Sequence, residues 1–227
     1  MLKIIDLSYP HDATTISPGH PEFTLISITT HEKHGRRNTG LTTSMHVGTH
    51  VDSPFHFVAD GIPIDQVPLE RLFGTIVFFD LRGQIGAKDE VTVDLLKKAN
   101  PGADLNGKVA MVCTEWLDNT GHGAKAYFTE NPAFHPDAAK WLVDQNVKCV
   151  ALDFPPDFPT PGGARPGDAP VHRTFLGAGV LIVENLCNLQ QVKDVDAYFC
   201  AMPIKLAGQD GGLTRAVAIV KSGLLID

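Results

Sequence analysis

Residues 41–57 read LTTSMHVGTHVDSPFHF and place His46, His50, Asp52 and His56 at successive offsets of 4, 2 and 4. In an extended chain, side chains alternate between faces. His46, Gly48, His50, Asp52, Pro54 and His56 would then share one face, while Val47, Thr49, Val51, Phe55 and Phe57 fill the other. A helix would also bring His46 beside His50, but Gly48, Pro54 and three β-branched residues count against a helix interior. The stretch therefore reads as a strand with one chemical and one packing face. Pro54 ends its ladder, so that His56 turns away from a strict strand. Gly48, between two imidazoles, leaves room for an ion, and two neutral nitrogens with a carboxylate are ligand types that zinc, manganese or iron accept. Ordinary hydrogen bonding is the usual fate of a lone histidine. Four co-facial ionisable groups, by contrast, would desolvate together at real cost without a counter-ion.

Outward from this stretch, β-rich runs recur along the chain: KIIDLS, FTLISITT, TIVFFDL, KVAMVCT, VKCVALDF, VLIVEN, AYFCAMPIK and TRAVAIVKS. Helical patterns are fewer: VTVDLLKKAN, then PDAAKWLVDQN with Pro136 and Asp137 as a first turn, then a short one from Ala169 to Leu176. The order is mixed rather than strictly alternating, which predicts an α/β protein with a mixed sheet and helices packed on it, not a doubly wound one. The segments Gly83–Ala87, Pro101–Gly107 and Phe154–Pro170 have loop composition, and none is a linker, so residues 1–227 are expected to form a single domain. No phosphate-binding glycine motif is present, and PGGARPGD from Pro161 carries too much proline to cradle phosphate.

A second acid and imidazole pair lies in APVHRTFLGAGVLIVENL, with His172 on the short helix and Glu184 inside an apolar strand. A carboxylate among residues that ought to be buried needs a partner: a metal, an arginine, or the solvent side of an edge strand. The formal charge of −7, from 19 basic and 26 acidic side chains, argues against nucleic acid and anionic membrane as partners. The start, MLKIIDLSYP, is too short and too early-charged for a secretory core, and a cytoplasmic protein is expected. Cys113, Cys149, Cys187 and Cys200 are widely separated, which supports packing roles rather than a zinc or redox motif.

The chain resembles the metal-dependent cyclase family, which includes bacterial kynurenine formamidases and isatin hydrolases. The resemblance rests on IIDLSYP, PGHPEF, HVGTHVDSPFHFVADG followed by IPIDQVPLERLFG, then ALDFPPD, HRTFLGAGVLIVENL and MPIKLAGQDGGLTRAVAI. It implies that His46, His50 and Asp52 bind one metal, that Asp52 bridges to a second, and that His172 and Glu184 complete the second site. His56 is then the unliganded catalytic histidine. The implied fold is a swivelling β/β/α arrangement, the implied cofactor zinc or manganese at two ions per subunit, and the implied assembly a homodimer or homotetramer. The implied activity is hydrolysis of a small-molecule amide, as in arylformamidases of tryptophan catabolism. The chain departs from the family at Glu115, where a glycine commonly precedes the tryptophan, and at Gly211–Leu213, where Ser-Pro is common.

Nitrogen and oxygen ligands without thiolate suit hydrolysis of an aryl amide, formamide or lactam by a metal-activated water, with His56 carrying the proton to the leaving nitrogen. The G-x-S-x-G elbow of serine hydrolases is absent. Phe55, Phe57, Trp116, Phe154, Phe158 and Phe175 are the aromatic candidates for a substrate wall, with Phe55, Trp116 and Phe154 foremost. Two rival readings exist. His50, Asp52 and His172 also spell the facial triad of a non-heme iron oxygenase, which leaves His46 and Glu184 unexplained. A non-catalytic metal-binding module gives His56 no role. His11, His20, His31, His34, His122 and His135 read as solvated loop or helix-start residues, His20 standing apart within PGHPEF.

Overall fold

The runs Val109–Cys113, Cys149–Leu152 and Leu181–Glu184 are buried at every residue, as parallel strands covered on both faces must be. In the computed structural model, which describes residues 3–12, 14–160, 165 and 167–221, they form the centre of a nine-stranded mixed sheet. The strands among the described residues are β1 (Ile4–Asp6), β2 (Thr24–Thr29), β3 (Asn38–Thr42), β4 (His50–Asp52), β5 (Phe73–Asp80), β6 (Glu90–Val91) and β7 (Val109–Cys113). They continue as β8 (Ala133–Phe134), β9 (Cys149–Leu152), β10 (Leu181–Glu184), β11 (Ala197–Cys200), β12 (Gly211–Leu213) and β13 (Val217–Val220). The large sheet has the order β1-β13-β11-β5-β7-β9-β10-β4-β12. Its middle four strands are parallel and both flanks antiparallel.

The helices are α1 (His31–His34), α2 (Val93–Ala99), α3 (Trp116–Thr120), α4 (Lys125–Thr129), α5 (Pro136–Asp144) and α6 (Pro170–Gly177). Strand alternation sorts the core. Ala110, Val112, Val150, Leu152 and Ile182 face Leu96, Ala138, Leu142 and Phe175 of α2, α5 and α6. Met111, Ala151 and Val183, on the other parity, share a cluster with Val51 from one flank and Ala218 and Val220 from the other. Strands near opposite ends of the sheet meet in one cluster because the sheet curls over that face. The mixed sheet with packed helices expected from the sequence is therefore present, and the three helices read there are α2, α5 and α6.

Two expectations are corrected. The stretch 41–57 is not one strand up to Pro54: Leu41 and Thr42 end β3, a turn with Gly48 at φ +70° follows, and His50–Asp52 alone joins the large sheet, while the 3-10 turn over Pro54–His56 takes His56 off the strand where the sequence expects it. Gly48 has a job other than making space for an ion, since a Cβ there would overlap the His11 ring. FTLISITT forms β2, but it pairs only with β3, a strand the sequence reading passed over, in a hairpin separate from the large sheet. Cys113, Cys149 and Cys187 are buried, and burial pushes the Cys149 thiol up to about 12, consistent with packing roles. No helix among the described residues is long and apolar enough to cross a membrane. Residues 161–164 and 166 of the PGGARPGD stretch lie outside the described residues.

Candidate metal centre

Antiparallel pairing of β4 with β10 sets His50 opposite Glu184 and Asp52 opposite Ile182. Opposed residues share a face, so His50, Asp52 and Glu184 project together, on the side where α6 packs. The helix brings His172 over them: its Nε2 lies 2.9 Å from Glu184 Oε1 and 3.6 Å from Asp52 Oδ2. Asp52 Oδ1 turns the other way, 2.8 Å from His46 Nδ1 and 3.2 Å from His50 Nε2. The two oxygens of one carboxylate thus serve two groups of side chains. The set His50, Asp52 and His172 does not stand alone, because His46 and Glu184 complete the same cluster.

The supporting contacts fix which nitrogen each ring offers. His50 Nδ1 donates to Gly48 O at 2.8 Å, and Asn185 Nδ2 donates to the same carbonyl at 2.8 Å, while the Tyr127 hydroxyl donates to Asn185 Oδ1. That bond leaves His50 Nε2 as the lone-pair nitrogen. His172 Nδ1 donates to Asp157 Oδ2 at 2.6 Å, which again frees Nε2 toward the carboxylates. Asp210 Oδ2 accepts from His46 Nε2 at 2.8 Å and lies 3.3 Å from His56 Nδ1. The His46 and His56 rings stack with centroids 3.8 Å apart.

Asp52 is fully buried and Glu184 is 7% exposed. Asp52 Oδ2 makes no hydrogen bond, with His172 Nε2 no nearer than 3.6 Å, and Glu184 Oε1 is faced by the same nitrogen at 2.9 Å, so the two carboxylates need protons on the histidines or a cation among them. Burial works against protonated histidines here, yet the hydrogen bonds that His46 donates to Asp52 and Asp210 hold it up to about 9, and those that His172 donates to Asp157 and Glu184 hold it up to about 10. Burial alone would raise Asp52, but the neighbouring histidines pull it well below the usual carboxylate range. The cluster is a negative pocket that captures positive charge, and its imidazole and carboxylate donors suit a divalent cation with no thiolate preference. Among the described residues, two overlapping donor groups can hold an ion: His50, Asp52 and Glu184, and His46, Asp52 and His56. The second group brings His56, the expected unliganded residue, within reach of an ion.

The cluster floors a chamber of about 220 Å³ that is walled by Phe57, Phe128, His20 and Pro155. Phe57, Phe128, His20 and Pro155 also line a wider outer chamber of about 1000 Å³. The foremost aromatic candidates are corrected. Phe154 is fully buried in the core, Trp116 Nε1 is spent on Tyr127 O, Phe55 is 40% exposed, and none of the three lines either chamber. Phe175 is core and Phe158 is outside the walls, so of the wider set only Phe57 lines the chambers. Glu115 pairs with Arg82 at 3.3 Å rather than facing substrate.

Two histidines read as solvated are not. His11 Nε2 bonds Val47 O at 2.9 Å and buttresses the turn before His50, and His122 is fully buried. Sequence reading missed Asp157, Asn185, Tyr127 and Phe128, and noted Asp210 only for local shape. The signal for Asp157 was available: it ends ALDFPPD, a segment as distinctive as those that carry His172 and Glu184.

The chain is similar to several known proteins. A kynurenine formamidase of Bacillus cereus (strain ATCC 10987 / NRS 248) is 29% identical over 219 residues, 94% of this chain and 95% of that one. Among solved structures, isatin hydrolase A from Ralstonia solanacearum superposes with a TM-score of 0.84 at 23% identity, covering 96% of this chain and 92% of that one. A protein described as a predicted metal-dependent hydrolase from Bacillus stearothermophilus gives a TM-score of 0.72 at 25% identity, covering 96% and 98%. The family model described as "Putative cyclase" matches residues 5–156, more than half of the chain. That span carries His46, His50, Asp52 and His56 on their turn, strand and 3-10 turn, and by this match the chain belongs to the cyclase family.

Proposed function

We propose that the protein is a metal-dependent hydrolase that cleaves the C–N bond of a small aryl amide or formamide. The observation that carries the reading is Asp52, buried with its two oxygens divided between His46 and His50 on one side and His172 on the other, at the floor of an aromatic-walled chamber. The names of the relatives, kynurenine formamidase and isatin hydrolase, support this class of bond. His46, His50 and Asp52 would hold one zinc or manganese ion, and Asp52, His172 and Glu184 a second. Such an ion supplies positive charge that acidifies water and polarises a carbonyl oxygen.

The chain's own residues do the rest. Gly48 O and Asp157 hold the Nδ1 sides of His50 and His172 before any ligand arrives, so that each ring presents its Nε2 to the carboxylates. Burial, with His46 and His172 nearby, lowers the His56 pKa against the pull of Asp52 and Asp210, so the ring is neutral at neutral pH and able to take a proton. With Nδ1 turned toward Asp210, Nε2 is the nitrogen that passes the proton to the leaving amine. Phe57 and Phe128 flank an aryl group and exclude water around the reacting bond.

The test is metal analysis of purified protein together with anaerobic hydrolysis assays on N-formylkynurenine, isatin and related amides. His50→Ala and Asp52→Ala are expected to lose metal and turnover together, and His56→Ala to keep metal and lose turnover. Protein that carries no metal, or hydrolyses none of these amides anaerobically when loaded with zinc or manganese, would overturn the reading. Loss of metal from His56→Ala would make His56 a ligand instead of the proton carrier.

A further inference from the structure

His20 is the histidine of the chamber wall that the hydrolase reading leaves without a role. Ser17, Pro18, Gly19 and His20 close a tight turn, in which His20 N donates to Ser17 O at 3.1 Å and Gly19 sits at φ +86°. Proline followed by glycine at the two central positions is the pair that a type II turn favours. The turn lies against the site: Ser17, Pro18 and His20 line the inner chamber, and His20 reaches the outer one as well. A turn preset by its own residues loses little further freedom when a substrate binds, so His20 is held ready at the neck between the chambers.

Ser44 sets which edge of the ring is free. Its Oγ accepts from His46 N at 3.3 Å and lies 2.9 Å from His20 Nδ1. The Ser44 hydroxyl proton then has Nδ1 as its acceptor, which leaves the ring hydrogen on Nε2, and Nε2 has no partner among the described residues. The rest of the inner wall offers little competition. Pro18, Phe57, Phe128 and Pro155 carry no side-chain donor, the Asn185 amide is spent on Gly48 O and the Tyr127 hydroxyl, and Ser17 adds only a rotatable hydroxyl. The His46 ring lies between His20 and His56, its centroid 5.9 Å from the first and 3.8 Å from the second. His20 and His56 are therefore within about 10 Å of each other. That interval holds a planar amide with one hydrogen bond at its nitrogen and another at its oxygen, each about 2.9 Å long.

We infer that His20 is a further catalytic residue of the same reaction, the N–H donor to the carbonyl oxygen of the amide that is cleaved. As water adds to the carbonyl carbon, the π pair of the C=O bond moves onto that oxygen, and the hydrogen bond from His20 Nε2 strengthens as the charge grows. When the pair returns, the C–N electrons leave on nitrogen, which takes the proton that His56 accepted from the water. The products are a carboxylic acid and an amine, and the His20 proton is donated in a hydrogen bond without being transferred. This inference rests on the hydrolase reading and gives the amide its orientation, nitrogen toward His56 and oxygen toward His20.

The probes are formanilide, thioformanilide and N-formylkynurenine, assayed anaerobically on metal-loaded wild type, His20→Phe and His20→Gln, with metal content and Tm measured for each. Phenylalanine keeps a flat ring without the donor, and glutamine returns an N–H. His20→Phe is expected to keep its metal and to lower kcat for the two oxygen formamides about 100-fold, the cost of one lost donor to a developing oxyanion, with KM little changed. Sulfur is a weak hydrogen-bond acceptor, so the loss on thioformanilide should be about 10-fold smaller, and His20→Gln should regain part of the rate on oxygen substrates. Equal losses on formanilide and thioformanilide, a loss confined to KM, or loss of metal in His20→Phe would overturn the inference, because His20 would then hold the substrate, or His46 through Ser44, without meeting the reacting oxygen. An unchanged kcat overturns it as well and leaves the hydrolase reading standing. A wild type that cleaves none of the three probes, nor isatin, removes both.

Discussion

Asp157→Asn changes one atom's chemistry and almost no volume, and the structure fixes what it should cost. The carboxylate accepts three hydrogen bonds: Val171 N at 3.0 Å, His172 N at 3.0 Å and His172 Nδ1 at 2.6 Å. It therefore caps the first turn of α6 and holds the His172 ring at once. An amide in its place keeps one acceptor and turns an NH2 toward one of the donors, on a side chain that is only 11% exposed. An unsatisfied buried donor and a weakened cap together cost about 2–3 kcal/mol, or roughly 4–12 °C in Tm for a chain of this length. Metal affinity should fall about 10- to 100-fold, the usual penalty for losing the outer partner of a ligating histidine. Thermal unfolding with and without chelator and a competition titration with a chromogenic chelator measure the two effects separately. Lower Tm with unchanged metal affinity would show that Asp157 is a helix cap and nothing more, and that His172 does not depend on it for orientation.

Three further outcomes are expected. In Gly211→Ala the new Cβ would lie 2.7 Å from Val51 O and 2.9 Å from His46 Cε1. The strand carbonyl cannot yield, so His46 moves, and urea unfolding should show a loss of about 1–3 kcal/mol together with weaker metal binding; unchanged values for both would refute the close approach. Burial raises the Asp153 carboxyl to about 7 in spite of hydrogen bonds from Thr114 and Glu115. Between about pH 4 and 7 the folded state then holds a proton that the unfolded chain has lost, so this group's contribution to stability falls as pH rises through that window and levels off above it. Denaturation against pH should show that slope as the difference between wild type and Asp153→Asn, and a difference constant with pH would exclude it. The β2–β3 hairpin exposes Leu25, Ile26, Ile28 and Leu41 by 50–56% each. Because an isolated two-stranded ribbon is marginal in water, a homodimer or homotetramer that covers it is expected, and Ile26→Glu with Ile28→Glu should lower the mass found by light scattering. A monomeric wild type would rule this out.

The parts of the molecule that were legible in the sequence are those whose cause is local. Val109–Cys113 and Leu181–Glu184 announce buried strands because an unbroken apolar run has nowhere else to go. Glu184 announces a partner because nothing else in its run is charged. The same parity that packs Val150, Leu152 and Ile182 against the helices also runs on to Phe154, so its burial was readable where a place in the substrate wall was inferred. What the sequence did not show is set by closure of the sheet. Asp210 reaches His46 across 164 residues because β12 adds to the edge of β4, and Gly211 looks like a loop glycine until the His46 ring is placed against it. Pro54 marks the bend that takes His56 off the strand, but the histidine spacing gives no sign of the turn at Gly48 that precedes the three-residue strand. The bends carry consequence. A straight strand would spread His46, His50 and His56 along one line, each with room for its own hydrogen bonds. The turn at Gly48 and the 3-10 turn after Ser53 fold His46 and His56 back into a stack over Asp52, and the charge of a buried carboxylate then requires either protons on those rings or a cation among them. The turn at Gly48, which a straight strand lacks, thus adds to the case for a cation.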